Sequence, residues 1–190
     1  MEKKVLVPVA DGTEELEAIT ITNVLRRAGA DVTVASVNKF QVTCSRGIKL
    51  IVDKPISSCM NENYDLIALP GGMPGAEKLR DSEELTAMLK RQQQEGRLYA
   101  AICSAPVVVF KPHGLLDGRQ ATCNPGFVHE LEIKDSIENT VVVDGNCITS
   151  RGAGTAIEFA LKLVELLYDK EKVREVAAGM VFKPKNTTSG

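Results

Sequence analysis

The residue best placed to do chemistry in this sequence is Cys103. It follows the short apolar run Leu98–Ile102 and precedes a second apolar stretch, 105–110. The run predicts a buried strand, and the stretch that begins after Ser104 predicts a helix. Cys103 is therefore expected at the carboxyl end of a strand and the amino end of a helix, where ligands bind in α/β sheets and where unpaired amides favour a thiolate over a thiol.

The local sequence leaves two interpretations of Cys103 open. A free cysteine is commonly a buried packing residue. A cysteine on a strand-to-helix turn can instead be a nucleophile, with the next amide, here that of Ser104, facing the developing oxyanion. Gly71 and Gly72 follow another predicted strand, and they fit either a plain turn or a pair of backbone donors that face a reacting oxygen.

Other side chains point more weakly to a function. Glu17 lies in the first turn of a predicted helix, where an exposed acid commonly interacts favourably with the helix dipole. We interpret His113 and His129 as loop or surface residues rather than catalytic bases. The remaining cysteines are interpreted as packing or incidental surface thiols: Cys44, Cys59, Cys123 and Cys147.

No cofactor or metal is expected. The first predicted strand is followed by Asp11-Gly12-Thr13, which carries one glycine, so the G-x-G-x-x-G pattern of dinucleotide-binding turns is missing. The pairs Gly71-Gly72 and Gly152-x-Gly154 are weak indications of such a loop. With two histidines and no C-x-x-C spacing, a structural zinc site is also not expected.

The composition is that of an ordinary globular protein. The chain has 190 residues, of which 44% are hydrophobic and 25% charged, with a formal net charge of −2. No basic face or block of charge indicates nucleic acid or an anionic membrane as a partner, and no apolar run approaches the ~20 residues that span a bilayer. The apolar run 5–10 is too short for the core of a signal peptide, and an odd number of cysteines cannot all pair internally, so we expect the reducing cytoplasm.

Strands and helices are predicted to alternate along the chain. Continuous apolar runs predict parallel strands covered on both faces, and segments with helical spacing lie between them. The predicted strands are 5–10, 31–37, 64–69, 98–102 and 119–122, with two short pieces in 42–52 and a hairpin over 140–149. The predicted helices are 14–28, 81–96, 105–110, a segment that begins at Thr155 and 170–178, with capping boxes at Asp81 and Thr155.

This order of elements predicts an α/β three-layer sandwich with a mainly parallel sheet. We expect one domain, residues 1–182, followed by a polar and flexible tail, residues 183–190.

Six segments, taken together, resemble the ThiJ/PfpI superfamily, in particular its branch of parkinsonism-associated DJ-type protein deglycases. The resemblance runs from about Lys3 to Val181 and implies a flavodoxin-like sheet between helices, commonly in a homodimer. It also implies a cofactor-independent enzyme that detoxifies methylglyoxal or glyoxal, or removes early glycation adducts from proteins. The segments are D-G-T-E-E-L-E-A (11–18), L-R-R-A-G-A-D-V-T-V-A-S-V (25–37), C-S-R-G (44–47), Y-D-L-I-A-L-P-G-G (64–72), A-A-I-C-S-A-P (100–106) and I-T-S-R-G-A-G-T-A-I-E-F-A-L (148–161).

The resemblance also implies roles for individual residues. Cys103 matches the family's reactive cysteine, Glu17 matches the acid that contacts it, and Gly72 and Ser104 match residues whose amides line the pocket. Because an ionised carboxylate would repel a thiolate, we expect a protonated Glu17 to donate a hydrogen bond to an ionised Cys103. The same thiol allows a different function, that of an oxidative-stress sensor or redox-regulated chaperone that uses oxidation of Cys103.

One residue departs from the family pattern. Most DJ-type proteins carry histidine before the proline that corresponds to Pro125, and this chain has Asn124. Asparagine can hydrogen-bond a substrate but cannot act as a base near neutral pH. Since the peptidase and glutamine amidotransferase branches have histidine in the pocket, a PfpI-like cysteine peptidase is the least favoured function, and Glu17 is expected to move protons largely alone.

Overall fold

A mainly parallel sheet of seven strands lies at the centre of the protein, in a computed structural model that describes residues 2–131 and 136–183. The strand order is β5-β2-β1-β6-β7-β9-β8, and every neighbouring pair is parallel except the β8–β9 hairpin. The strands are β1 (Lys4–Val9), β2 (Asp31–Ser36), β5 (Lys54–Pro55), β6 (Leu66–Leu69), β7 (Leu98–Ile102), β8 (Val141–Asp144) and β9 (Cys147–Ser150). The separate antiparallel pair β3 (Gln41–Thr43) and β4 (Lys49–Ile51) matches the two short pieces predicted in 42–52.

Helices cover both faces of this sheet. They are α1 (Glu15–Arg27), α2 (Gly75–Arg80), α3 (Glu83–Gln94), α4 (Ala156–Leu167) and α5 (Lys170–Gly179). Along β1, Val5 and Val7 pack in one core with α1, α4 and α5, whereas Leu6 packs in the other core with α2 and α3. Burial of both faces explains why the strand is a continuous apolar run, and the predicted flavodoxin-like α/β sandwich is confirmed.

The predicted cap at Asp81 is wrong. A short helix that the sequence pattern did not predict, α2, ends at Asp81, and α3 begins after Ser82, whose hydroxyl accepts a hydrogen bond from the amide of Leu85 at 3.2 Å. The predicted capping box at Thr155 is also wrong, since that hydroxyl bonds Ser150 and Gly152 instead. Six residues are too few for a helical period to become visible in α2.

The strand predicted at 119–122 does not form. The amide of Gln120 donates to the Asp144 carboxylate at 2.7 Å, and the amide of Thr122 donates to the Thr149 hydroxyl at 2.9 Å. Side chains of the β8–β9 hairpin thus take the hydrogen bonds that a neighbouring strand would have offered. The stretch predicted as a helix at 105–110 is a π-helical turn, Pro106–Phe110, followed by a 3₁₀ turn, Lys111–His113.

Apart from residue 183, the tail predicted at 183–190 lies outside the described residues. Within the described ranges, every helix is too short or too polar to cross a bilayer.

Candidate active site

Cys103 stands on a sharp turn at the end of β7, as predicted. Its φ is +66°, a conformation that costs a residue with a side chain about 1–3 kcal/mol and persists only where the surroundings enforce it. Two hydrogen bonds do so here: the Cys103 amide donates to the Ser150 carbonyl at 3.1 Å, and its carbonyl accepts from the Asn124 amide at 2.8 Å. The backbone therefore fixes where the sulfur lies.

Glu17 reaches this sulfur from the buried face of α1. Its side chain is fully buried rather than exposed, and Oε2 accepts a hydrogen bond from the Gly71 amide at 2.8 Å. The carboxyl is also close enough to the Cys103 thiol for its charge to raise the pKa of that thiol. Oε1 is buried and, within the described part of the chain, has no hydrogen-bond partner. The local expectation of an exposed first-turn acid is thus wrong for Glu17.

The glycine turn after β6 allows this close approach. A Cβ on Gly71 would come within 2.7 Å of Cys103 Cβ. Gly72 has a φ of +90°, and a Cβ there would lie 2.4 Å from the amide nitrogen of Glu14. Real Cβ atoms do not approach other atoms so closely, so both positions require glycine.

Burial and the charge of Glu17 act on the pKa of the Cys103 thiol in one direction, and nearby backbone amides act in the other. Burial, followed by the negative charge of Glu17, raises the pKa of the Cys103 thiol, whereas the amides of Ser104 and Gly72 lower it. These two amides are the backbone donors that the sequence predicted. Their direction towards the sulfur equips them to stabilise negative charge on it or on an oxygen bound next to it.

Burial raises the pKa of Glu17 from 4.5 to about 7, although hydrogen bonds from the Gly71 amide and Cys103 oppose the rise. Two acids in one buried site lose their protons as a pair. The pair loses its first proton near neutral pH, and the second proton then lies on either group. The two shifts favour the proton on the sulfur, because the pKa of Cys103 is raised to about 12 and that of Glu17 only to about 7. The thiolate beside a neutral acid that the sequence predicted requires the same proton to lie on Glu17 instead.

Asn124 also contacts the sulfur. Its Nδ2 is 3.6 Å from Cys103 Sγ, while its Oδ1 accepts a hydrogen bond from the Gly126 amide at 3.0 Å. This second bond orients the side-chain amide so that its NH₂ group faces the sulfur. Asn124 can therefore donate a hydrogen bond to a group bound at Cys103 but cannot take a proton from it.

Neither histidine is arranged as a base for Cys103. The His113 ring is hydrogen-bonded to the Thr86 hydroxyl at 3.2 Å and the Arg80 carbonyl at 2.9 Å, between α2 and α3. His129 is exposed on a 3₁₀ turn. Their interpretation as loop or surface residues holds.

The sequence analysis missed Gly152, which follows β9. A Cβ at this position would be 4.0 Å from Cys103 Sγ and 3.5 Å from Asn124 Nδ2. The indication was available, because Gly152 comes just after a predicted strand and parallel strands bring their carboxyl ends to one edge. The sequence pattern indicates only a weak dinucleotide loop at these glycines.

In the described ranges, 2–131 and 136–183, no three side chains of the metal-binding types are grouped to hold an ion. All five cysteines are unpaired. Cys103 is half-buried, and the other four are buried: Cys44, Cys59, Cys123 and Cys147.

The chain is similar to known proteins over most of its length. A family model described as the DJ-1/PfpI family matches residues 3–166. Protein DJ-1 homolog B of Arabidopsis thaliana is 49% identical over 184 residues, which are 96% of this chain and 42% of that protein. The chain thus spans less than half the length of this plant relative. A Caenorhabditis elegans relative, glutathione-independent glyoxalase DJR-1.2, is 35% identical over 90% of this chain and 91% of its own length.

A solved structure gives the same result. The chain superposes on the oxidized DJ-1 of Toxoplasma gondii with a TM-score of 0.91 at 50% sequence identity. The match covers 95% of this chain and 98% of that one.

Proposed function

The chain belongs to the DJ-1/PfpI family, and we propose that it is an enzyme that converts reactive dicarbonyls into hydroxy acids without a cofactor. Methylglyoxal would give lactate, and glyoxal would give glycolate. Cys103 is the nucleophile and Glu17 the proton carrier. The glyoxalase name of the Caenorhabditis elegans relative supports the choice of reaction.

One observation carries the proposal: a fully buried carboxyl with a pKa near 7 lies beside the thiol on the turn after β7. An acid whose pKa is close to the ambient pH can both give and take a proton, which is what an isomerisation of a bound aldehyde requires. A carboxyl group with a purely structural role would not be stabilised by burial beside a nucleophile.

The first step is addition of the sulfur to the aldehyde carbon. As the S–C bond forms, the C=O π bond breaks and its electrons pass to the oxygen, which takes the proton from Glu17. The product is a hemithioacetal. The amides of Gly72 and Ser104 stabilise the negative charge that develops on the oxygen.

The second step moves a proton between neighbouring carbons. Glu17, now ionised, takes the hydrogen from the sulfur-bound carbon and gives it to the neighbouring carbonyl oxygen, which forms an enediol. It then takes the proton of the hydroxyl group on the sulfur-bound carbon and gives it to the next carbon. The former aldehyde carbon is thereby oxidised to a thioester, while the former carbonyl carbon is reduced to an alcohol. No external oxidant or reductant is needed. Water then cleaves the thioester, releasing the hydroxy acid and restoring the thiol.

The same pocket suits early glycation adducts. The adducts of dicarbonyls with cysteine, lysine or arginine keep the carbon skeleton of the aldehyde, so attack by Cys103 would release the protein side chain as the leaving group. Deglycation is therefore a second reaction that we propose for this site. Asn124 would hydrogen-bond the bound adduct through its NH₂ group.

The test is conversion of methylglyoxal to lactate by wild type, Cys103→Ala and Glu17→Gln. We expect turnover by the wild type and loss of at least about a thousandfold in kcat for either variant. Cys123→Ala is a matched control, because Cys123 is a buried thiol near Asn124 that the mechanism does not use. Full turnover by Cys103→Ala would disprove the proposal.

Redox sensing is a second candidate function. The relevant observation is that Cys103 is half-buried whereas the other cysteines are buried, so peroxide reaches it first. The related Toxoplasma gondii structure is described as oxidized. Intact-mass analysis after mild peroxide should show added oxygen on the wild type and none on Cys103→Ala. Oxidation of other thiols while Cys103 stays reduced would contradict this candidate.

A PfpI-like peptidase remains the least favoured function, because the two histidines lie elsewhere, as described above. Peptide cleavage that disappears in Cys103→Ala would reverse this ranking.

We also propose a homodimer in the cytoplasm. The outer surface of α1 and β4 exposes large apolar side chains, namely Leu16, Ile19 and Ile51, which a second copy would cover. The unpaired cysteines suit a reducing compartment. Light scattering coupled to gel filtration tests the dimer, and Ile19→Glu should give the monomer.

A further inference from the structure

Near the sulfur of Cys103, one neighbouring residue has no side chain: Gly152. The carboxyl of Glu17, the amides of Gly72 and Ser104 and the NH₂ group of Asn124 also lie near this sulfur. Gly152 bounds the site with a bare α-carbon, because a Cβ built there points between Cys103 Sγ and Asn124 Nδ2.

A methyl group would fit at Gly152 without moving its neighbours. The distances from a Cβ, 3.5 Å to Asn124 Nδ2 and 4.0 Å to Cys103 Sγ, are ordinary van der Waals contacts. The φ of Gly152 is 164°, which is extended backbone that any residue adopts. Neither strain nor a clash therefore requires glycine here, in contrast to Gly72.

This boundary is held rigidly relative to the nucleophile. The Gly152 amide donates to the Thr155 hydroxyl at 3.1 Å, and its carbonyl accepts from the Thr155 amide at 2.8 Å. The Ser150 hydroxyl is 2.7 Å from that of Thr155, and the Ser150 carbonyl accepts the Cys103 amide. The loop cannot retreat to accept a larger group without breaking these bonds.

A substrate bound to the sulfur has two parts to place. Its oxygen belongs against the amides of Gly72 and Ser104, where negative charge is stabilised. Its carbon substituent must then lie on another side of the sulfur. The position that a Cβ on Gly152 would take lies 4.0 Å from Sγ and 3.5 Å from Asn124 Nδ2, and no side chain of residue 152 fills it.

We propose that Gly152 determines which groups react at Cys103, by leaving space for a substituent about the size of a methyl group on the sulfur-bound fragment. In its application to dicarbonyls this inference rests on the proposed function. It identifies the substrate class as small aldehydes with a one-carbon or similarly compact group beyond the reacting pair of carbons. Filling the space should penalise methylglyoxal more than glyoxal.

The experiment compares kcat/KM for glyoxal and methylglyoxal in wild type, Gly152→Ala and Gly154→Ala. In such a pocket, a single methyl group changes kcat/KM by roughly tenfold or more. We therefore expect Gly152→Ala to lower the ratio of kcat/KM for methylglyoxal to that for glyoxal by at least about tenfold. Gly154 lies two residues along the same loop, and a Cβ there meets nothing within 4 Å. Gly154→Ala should therefore leave the ratio within about twofold of wild type.

An unchanged ratio in Gly152→Ala, or an equal change in Gly154→Ala, would overturn the inference. A second measurement does not depend on turnover: the rates at which iodoacetamide and the bulkier N-ethylmaleimide alkylate Cys103, followed by intact mass. Gly152→Ala should slow the maleimide at least about tenfold more than iodoacetamide. Equal slowing of both reagents would contradict the inference.

These two measurements separate the possible failures. If the wild type converts neither aldehyde, the proposed function fails and alkylation alone decides the role of Gly152. If the wild type converts both and the ratio does not respond, the proposed function stands and the inference fails. Gly152→Ser serves as a second variant with the same expected direction should the alanine variant not fold.

Discussion

The side-chain nitrogen of Asn124 lies 3.6 Å from the sulfur of Cys103, on a residue whose own amide is bonded to the Cys103 carbonyl. Asn124 is thus held against Cys103 by one side-chain contact and one backbone hydrogen bond. In the family pattern that the sequence resembles, the position carries histidine, which can act as a base. Asparagine can still donate a hydrogen bond, but it cannot act as a base.

Asn124→His is expected to increase methylglyoxal turnover. An imidazole at this position would share the proton transfers that Glu17 otherwise performs alone. A well-positioned general base accelerates a reaction by ~10²–10⁴-fold, so we expect at least a several-fold rise in kcat. Asn124→Ala is the control, because it removes the amide without supplying a base. A decrease with both variants would mean that the hydrogen bond of Asn124, and not the missing base, governs the rate.

The turnover of the wild type should rise with pH around an apparent midpoint near 7. Below this pH the Glu17–Cys103 pair holds two protons and no thiolate forms, whereas above it the single remaining proton allows a thiolate beside a neutral acid. The pH dependence of kcat/KM, measured from pH 5 to 9, checks this. A profile that is flat between pH 6 and 8 would contradict the assignment of the midpoint to this pair.

Glu17 should make the fold less stable at alkaline pH. The pKa of Glu17 is raised from 4.5 to about 7 in the folded protein, so between these values the folded state binds more protons than the unfolded one. Stability therefore falls as the pH rises through this window, by up to about 3 kcal/mol once the pH exceeds 7. Glu17→Gln should be the more stable protein at pH 8, and the difference should disappear towards pH 4.5.

Urea unfolding at both pH values measures this difference, and Glu15 provides a control of opposite sign. Burial alone would raise the pKa of Glu15, but hydrogen bonds from the Arg46 amide and the Ser45 hydroxyl outweigh it and lower the pKa. Its carboxylate stabilises the fold above its unfolded pKa and loses that effect on acidification. Glu15→Gln should thus be destabilised at pH 8. Destabilisation of Glu17→Gln at pH 8 would show that its carboxylate is stabilised by contacts beyond those described.

Gly72→Ala should be severely destabilised and inactive. An alanine there would adopt a φ of +90° and place its Cβ 2.4 Å from the Glu14 amide nitrogen, a backbone atom that cannot move aside. Gly29 is a matched control, since its φ is +88° but nothing lies within 4 Å of a Cβ. We expect a loss of about 1–2 kcal/mol for Gly29→Ala and a further loss of about 1–3 kcal/mol for Gly72→Ala. Equal unfolding free energies of the two variants in urea would contradict this packing argument.

Features that depend only on neighbours along the chain were predictable from local patterns. The continuous run of apolar residues in β1 indicated a strand that is buried on both faces. The glycine turn 145–146 and the β-branched residues on either side of it indicated the β8–β9 hairpin. The position of Cys103 between an apolar strand and a helical turn was likewise a local property. These patterns, together with the resemblance, identified Cys103, Glu17, Gly72, Ser104 and Asn124 before any coordinates were known.

The surroundings of these residues depend on how distant elements pack against one another. Locally, Glu17 was an ordinary first-turn acid, and its burial and raised pKa arise because α1 packs against the glycine turn after β6. Gly152 became part of the site because β9 lies beside β7 and ends at the same edge. Distances between residues far apart in the chain depend on how elements pack, and a sequence pattern with a period of a few residues carries no information about that packing.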